Sequence, residues 1–304
     1  MAGRLRRRER MNDHRSLVSV GVPTYNRAEL LGRTVKSVLA QKYEPIEVVI
    51  SDNASTDTTS ATAEALAAEH PQVRYMRQPE NQGPTVNFHE AWGHSSGEHF
   101  MWLGDDDWVD DTYVGDCVAL LESDPDIALV CGRCVYHEAD GSTKEGVAVS
   151  AVSDEAGERV LAFYRQVRDN GTFFGLARRS VLDRVLPLND VMGGDWLHVA
   201  RIAFLGKIRT LPTTAVHRSV GGATRSLADV ARHAGLGRVQ ATAPQVAIGW
   251  FVMRDIAWRS PVYAPLNRWR RLMLGGRAAI IVWWRFVPGA VVKFVRLHAR
   301  RRAS

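Results

Sequence analysis

His99-Phe100-Met101-Trp102-Leu103-Gly104-Asp105-Asp106-Asp107-Trp108 joins an apolar run of strand length to three adjacent carboxylates. Like charges side by side repel, and burying them unpaired is costly. A chain keeps such a cluster where a cation or a cationic ligand neutralises it. Hard divalent ions such as Mg²⁺ and Mn²⁺ take carboxylate oxygens and keep coordination positions for substrate phosphates. A solvated acidic turn has the same composition. The place of the cluster, at a strand's carboxyl end, favours the ligand, because open α/β sheets bind ligands there.

Upstream, strand and helix signals alternate. Leu17–Val22 is a short apolar strand, and Pro23-Thr24-Tyr25-Asn26-Arg27 follows as a loop. Asn26 and Glu29 fit a capping box for a helix to about Gln41, with Leu30, Leu31, Val35, Val38 and Leu39 as its apolar stripe. Ile46–Ile50 is a second strand. Thr56 or Asp57 suits the cap of an Ala-rich helix ending near His70-Pro71. Val73–Met76 is a third strand, Pro79–Pro84 a turn-rich loop, and Thr85–Trp92 a helix leading into the His99–Leu103 strand. This alternation predicts a mostly parallel sheet with helices on both faces. No GxGxxG or P-loop pattern follows the first strand.

Downstream, Thr112–Glu122 is helical, Ile127–Tyr136 a strand and Ala139-Asp140-Gly141 a turn. Residues 142–153 are small and polar, the composition of a mobile loop. Glu155–Arg168 is a helix with Asn170-Gly171 as its C-cap, and Thr172–Ala177 a strand. Gly193-Gly194-Asp195-Trp196 opens a further helix that offers Leu197, Ala200, Ile202, Ala203 and Leu205 to a core. Lys207–Leu211 and Ala215–Arg218 are extended. Taken by itself, Asp195 at that point is an N-cap.

Charge is uneven along the 304 residues. Residues 1–16 carry six Lys/Arg and two acids, and after Asp255 come eleven Lys/Arg and no Asp or Glu. The middle, 17–255, holds 22 bases against 31 acids, so an acidic body lies between basic ends. That body argues against nucleic acid as a partner. Cys131 and Cys134 form a CxxC inside a strand, where residues three apart point to opposite faces, so the three cysteines are expected to be reduced and structural. The expected organisation is a disordered basic arm (1–16), an α/β domain (17–225) and a helical, basic C-terminal region (226–304). In that region Ala278–Val295 mixes Trp283, Trp284, Phe286 and Phe294 with Arg285, Pro288 and Lys293. This composition suits a helix lying in a bilayer interface better than one crossing it. The alternative is a helix packed on the body with a basic outer face. With no apolar stretch near the start, the expected location is cytoplasmic, peripheral on the inner face of the plasma membrane.

Four ordered motifs carry a resemblance. Val20-Gly21-Val22-Pro23-Thr24-Tyr25-Asn26-Arg27, Ser51-Asp52-Asn53-Ala54-Ser55-Thr56-Asp57, Glu80-Asn81-Gln82-Gly83 and the Asp cluster resemble the family 2 glycosyltransferases in order and spacing across about residues 17–220. The resemblance implies the GT-A fold, a Rossmann-like α/β architecture with a mostly parallel central sheet, here with a helical C-terminal extension. It implies a nucleotide-sugar donor (UDP-, dTDP- or GDP-sugar) bordered by Pro23, Tyr25, Arg27, Asn81 and Gly83, with Asp52 at the base. Counting from Gly97, the family's Leu-Asp-x-Asp-Asp falls on Leu103–Asp107 with Gly104 in the first Asp's place; a shift by one makes Asp105 and Asp107 the pair. On this resemblance Asp105 contacts the donor, Asp106, Asp107 and His217 hold Mg²⁺ or Mn²⁺, and Asp195 is the general base. Arg218 or Arg225 would help hold the phosphates, and the Gly221-Gly222 loop would close over the donor. The basic, tryptophan-rich tail suits a glycan or lipid-linked acceptor of cell-envelope or polysaccharide assembly, with a soluble small molecule or a protein as the open alternatives. Two rivals stay open: a nucleotide-sugar-binding protein without catalysis, in which Asp195 is only a cap, and a nucleotidyltransferase that makes the donor. The second normally needs a glycine-rich basic loop, which Pro23–Arg27 lacks.

Overall fold

The computed structural model describes residues 15–219, 237, 240 and 243–284. The expected N-terminal arm, Gly221-Gly222, Arg225 and the stretch from Arg285 onward fall wholly or mostly outside these residues.

The first half alternates as its pattern requires: β1 (Val18–Thr24), α1 (Ala28–Leu39), β2 (Ile46–Asp52), α2 (Thr59–Glu69), β3 (Val73–Arg77), α3 (Pro84–Gly93) and β4 (His99–Trp102). After the Asp cluster come β5 (Trp108–Val109), α4 (Tyr113–Ser123), β6 (Ile127–His137), β7 (Thr143–Glu145), α5 (Ala156–Gln166), β8 (Leu176–Arg178), α6 (Arg179–Val185), α7 (Gly194–Leu205) and β9 (Lys207–Ser219). Helices α8 (Pro244–Arg254) and α9 (268–284) close the described chain.

One nine-stranded sheet runs β3-β2-β1-β4-β8-β6-β9-β5, with β7 on the side of β6. Strands β3, β2, β1 and β4 are parallel, whereas β8 joins β4 and β6 antiparallel, and β5 joins β9 antiparallel. From β1 the chain winds outward through β2 to β3, then returns to β4 on the opposite flank of β1. The β1/β4 boundary is therefore a topological switch point, where the connections from the two strands diverge and leave a crevice at their carboxyl ends.

The chain divides into two compact units. The first comprises residues 1–146, 174–183 and 210–220 and contains the sheet. Its core joins Val20, Val22 and Ile50 of the sheet to Leu31, Val35 and Val38 of α1, and to Val114, Val118 and Leu121 of α4. The α1 positions recur at three and four residues, one helical face, and each buried side chain contributes about 1.5–3 kcal/mol. Leu30 and Leu39, at the margins of that stripe, are half-buried. All three cysteines are free and buried, as expected.

The second unit comprises 147–173, 184–209 and 221 onward. In it the buried Arg159 of α5 closes the end of α7: Nε donates to Ala203 O (2.7 Å) and Nη2 to Phe204 O (2.9 Å), satisfying carbonyls that a helix C-terminus leaves open. Asp255, just past α8, forms a bidentate ion pair with Arg201 of α7, both side chains almost wholly buried.

Several local expectations need correction. Asn26 and Glu29 form no capping box: α1 starts at Ala28 without a side-chain cap, and Asn26 Oδ1 instead accepts from Thr56 N (2.7 Å), across to the neighbouring loop. Residues 142–153 are not simply a loop, because Thr143–Glu145 pairs with β6. Helix α5 ends at Gln166, not at Asn170-Gly171, and Gly171–Phe174 is a 3-10 turn, so the strand expected over Thr172–Ala177 is only Leu176–Arg178. Lys207–Ser219 is one 13-residue strand, not two extended pieces.

Candidate active site

The carboxyl end of β1 and the Asp cluster after β4 meet at the switch point, within the first unit. Thr24 Oγ1, at the last position of β1, donates to Asp105 Oδ2 (2.8 Å). Burial first of all, and then Asp106 next to it, push the Asp105 carboxyl up to about 6; Thr24, Arg27 and the Tyr25 N–H work in the opposite direction. Asp107 is buried, and Arg218 Nε donates to its Oδ2 at 2.9 Å. Burial also raises the Asp107 pKa, against the pull of Arg218. Its other oxygen, Oδ1, is buried with no hydrogen-bond partner. The backbone of the cluster is held from α1: Arg33 Nη2 donates to Asp106 O (2.6 Å) and Thr34 Oγ1 to Asp107 O (2.7 Å).

His217 lies on β9 in register with Trp108 of β5, and the two rings stack at 5.2 Å and 8°. Both imidazole nitrogens are engaged: Nε2 with Asp110 Oδ1 (2.9 Å) and Nδ1 with His137 Nε2 (3.0 Å). The carboxylate can only accept, so His217 Nε2 carries the proton and its Nδ1 accepts from His137. Arg33 lies over the Trp108 ring at 4.1 Å. Asp110, His137 and Arg33 were not legible as site residues in the sequence. They come from separate stretches of the chain: the pairing of β5 with β9 brings Asp110, just after β5, to His217, and the place of β6 beside β9 brings His137.

The loops that the resemblance assigns to a donor occupy the ends of β1 and β2. Tyr25 is exposed and Arg27 half-buried, whereas Pro23 is buried within β1, opposite Ser51 of β2. Asp52 is wholly buried. Its Oδ1 accepts from Ser55 N (2.8 Å), and its Oδ2 from Ser60 Oγ and Tyr75 Oη (both 3.0 Å), with Arg77 Nε 3.6 Å away. These bonds make Asp52 the clasp of the loop after β2. The N-cap of the following helix is Thr58, with no side-chain cap bond, not Thr56 or Asp57; Asp57, one residue earlier, has its Oδ1 accepting from Thr59 N (2.9 Å). Asn81 Oδ1 accepts from Asn53 Nδ2 and from Gly83 N (both 2.9 Å), and Gly83 adopts φ +86°, a conformation that side chains rarely tolerate. Asn87 ties the two strand ends together, donating to Thr24 O (3.1 Å) and accepting from Ser51 Oγ (2.7 Å). Its sequence context, the middle of a short helix, carried no signal of this.

Asp195 belongs to the second unit, in the first turn of α7. The N-cap is Gly193, at φ +76°, so the N-cap reading of Asp195 is overturned. A side chain on Gly194 would run into the Asn189 carbonyl oxygen. The two glycines thus let the chain turn tightly into α7, with the Asp195 carboxylate near the positive end of the helix dipole. Its Oδ1 accepts from Trp196 N (2.9 Å), and Trp196 Nε1 donates to Asp169 O (3.2 Å).

The Asp cluster suits a hard divalent cation in its chemistry: three consecutive carboxylates, one with a buried oxygen lacking a partner. Among the described residues no three His, Cys, Asp or Glu side chains converge on one point. Ligation by His217 would therefore exchange its bond to Asp110 or His137.

The architecture and the crevice at its switch point define a class. The glycosyl transferase family 2 model matches residues 19–186, more than half of the chain, and the chain belongs to that family. The match covers the loops after β1 and β2 and the Asp cluster and ends before Asp195 and His217. A GalNAc(5)-diNAcBac-PP-undecaprenol beta-1,3-glucosyltransferase of Campylobacter jejuni is 28% identical over 168 residues, which is 55% of this chain and 53% of that protein. The chain thus spans about half the length of that relative. An uncharacterized glycosyltransferase of Nostoc sp. is 26% identical over 293 residues, 90% of each chain. The structure of the mannosyltransferase PcManGT from Pyrobaculum calidifontis, in complex with GDP-Man and Mn²⁺, superposes with a TM-score of 0.57 at 19% identity, covering 96% of this chain and 82% of that one. That likeness carries the fold, which is of the GT-A type.

Proposed function

We propose that the chain is a metal-dependent inverting glycosyltransferase that moves a sugar from a nucleotide-diphosphate donor to a hydroxyl acceptor. The observation that carries this is the Thr24–Asp105 bond across the β1/β4 switch point, which ties the first carboxylate of the cluster to the strand ends where such sheets bind nucleotides. Tyr25, Arg27, Asn81 and Gly83 border the donor. Asp52 and Pro23 shape the pocket from beneath, Asp52 through the loop it clasps. Asp105 meets the donor beside the diphosphate, and Asp106 and Asp107, with His217 after an exchange of partners, hold Mg²⁺ or Mn²⁺. Bound there, the cation would offset the charge growing on the departing diphosphate.

Asp195 takes the proton from the acceptor hydroxyl as that oxygen attacks the anomeric carbon, and the nucleoside diphosphate leaves from the opposite face. One displacement with one base inverts the anomeric centre. The diNAcBac-PP-undecaprenol acceptor in the Campylobacter relative's name supports a lipid-linked glycan acceptor, and hence a place in cell-envelope assembly. The Mn²⁺ and GDP-Man of the Pyrobaculum structure support a divalent ion with a nucleotide-sugar.

The test is a thermal-shift series with UDP-, dTDP- and GDP-sugars, with and without Mn²⁺, followed by donor turnover. A ligand that binds only the folded state raises its apparent stability. One nucleotide-sugar should raise Tm in a Mn²⁺-dependent way and release nucleoside diphosphate. No shift with any donor, or turnover undiminished in EDTA, would sink the reading. Binding without turnover would favour the non-catalytic rival.

A further inference from the structure

Within the second unit, α8 and α9 meet at Trp283, whose ring packs against Gly249 and whose Nε1 donates to Val246 O (3.3 Å). Beside that contact each helix carries an exposed apolar pair one turn apart: Val246 (58%) and Trp250 (51%) on α8, Ile280 (58%) and Trp284 (72%) on α9. The α9 stripe continues toward its N-terminus through Met273 (64%) and Trp269 (77%), which share the helical face of Ile280. Folding hides the opposite face: Leu274, Ala278 and Val282 are buried. Scattered apolar residues on a surface are ordinary, but a stripe of three tryptophans with Val, Met and Ile is a binding face.

Charge selects the occupant. Across 243–284 the only carboxylate is Asp255, and it is buried against Arg201. Arg268 and Arg270 are exposed on α9 itself, and Arg277, also exposed, is ion-paired with Glu158 of α5 (3.2 Å). Beyond Asp255 the sequence holds eleven Lys/Arg and no acid. A protein partner with an apolar face would not require this excess of cations on and after the two helices. A bilayer rich in anionic lipid does, since cations gain from its surface potential while tryptophan and aliphatic side chains enter the headgroup boundary. No helix among the described residues is long and apolar enough to cross a membrane, in keeping with a helix pair lying flat.

We propose that the exposed α8–α9 face docks the protein on the interface of an anionic bilayer, with Trp250, Ile280 and Trp284 inserted and the arginines at the headgroups. The proposal goes beyond glycosyl transfer and does not depend on it, because docking is read without donor or acceptor. The full-length chain is co-sedimented with phosphatidylcholine vesicles and with vesicles that also contain phosphatidylglycerol. Binding is expected to the anionic vesicles, weakened by salt. Trp284→Ser should weaken it roughly tenfold, and Trp250→Ser with Ile280→Glu should abolish it, given about 25 cal/mol per Å² of apolar area withdrawn from water. Near-UV circular dichroism and Tm, unchanged in the variants, show that the fold is intact; Trp284→Ser, which alters a mostly exposed ring, is the variant that must meet this standard. Equal binding to both vesicle types, no binding to either, or full binding by folded variants overturns the proposal. So does a lipid-free dimer that Trp284→Ser dissociates while vesicle binding persists, since the face would then belong to a second copy of the chain.

Discussion

At the scale of residues, the site works by giving adjacent carboxylates different surroundings. Asp105 is hydrogen-bonded to Thr24 and Asp107 to Arg218, while one oxygen of Asp107 stays buried and open. Asp106→Asn should therefore weaken Mn²⁺-dependent donor binding, measured by calorimetry, with little change in Tm. Asp107→Asn should weaken it as well and also lower Tm, because Arg218 then loses its buried counter-charge. Asp195→Asn should reduce kcat by roughly 10²–10⁴ at unchanged donor affinity, the usual range for loss of a general base; surviving turnover would remove Asp195 from that role. The motifs at Tyr25, Asp52, Asn81 and Asp105 were legible because each is a local run of unusual composition. The Asp110–His217–His137 chain was not, since its members lie on three elements and no local pattern marks them.

At the scale of elements, parallel strands place the loops after β1 and β2, and on the other flank strands approach closely. Thr24 and Asp52 end adjacent strands in register, and Asn87 bridges from α3 to both strand ends. On the other flank, β6 comes so near β9 that a Cβ on Gly132 would lie 2.5 Å from Thr214 O. Gly132→Ala should cost about 1–3 kcal/mol in urea unfolding, the usual penalty for overpacking; a smaller loss would mean that the two strands separate at little cost. The α1 stripe was legible from its period alone, and Leu31, Val35 and Val38 are buried as it required. Its start was not: Asn26 had the right residue type for a cap, but its side chain is drawn to Thr56 on a neighbouring loop, a partner 30 residues away. The strand expected over Thr172–Ala177 shortened because apolar content alone does not distinguish a strand from a 3-10 turn.

At the scale of the whole molecule, stability rests on buried polar groups as well as on the apolar core. Asp255→Asn should destabilise the protein by about 3–5 kcal/mol, because Arg201 is then a buried charge without its partner; the urea midpoint measures this. His99, buried on β4, is held below its ordinary pKa of 6.5, first by burial and then by Arg178. The unfolded chain thus takes up a proton at His99 at a pH where the folded chain does not, and stability falls as the pH drops below about 6.5. His99→Gln should flatten that part of a stability profile measured between pH 5 and 8. An unchanged slope would assign it to another group.

The sequence by itself determined the alternation of strands and helices, the parallel half of the sheet, the motifs at the ends of β1 and β2 and the carboxylate cluster at the end of β4. These are local: period, turn chemistry and composition act over a few residues. Only the tertiary structure decided that β8 runs against both β4 and β6, that Arg218 neutralises Asp107, that His217 is held between Asp110 and His137, and that Asp255 is buried against Arg201. Those pairings join residues as many as 111 positions apart. They depend on which strands share an edge and which helix faces are buried together, and no short stretch of chain encodes that.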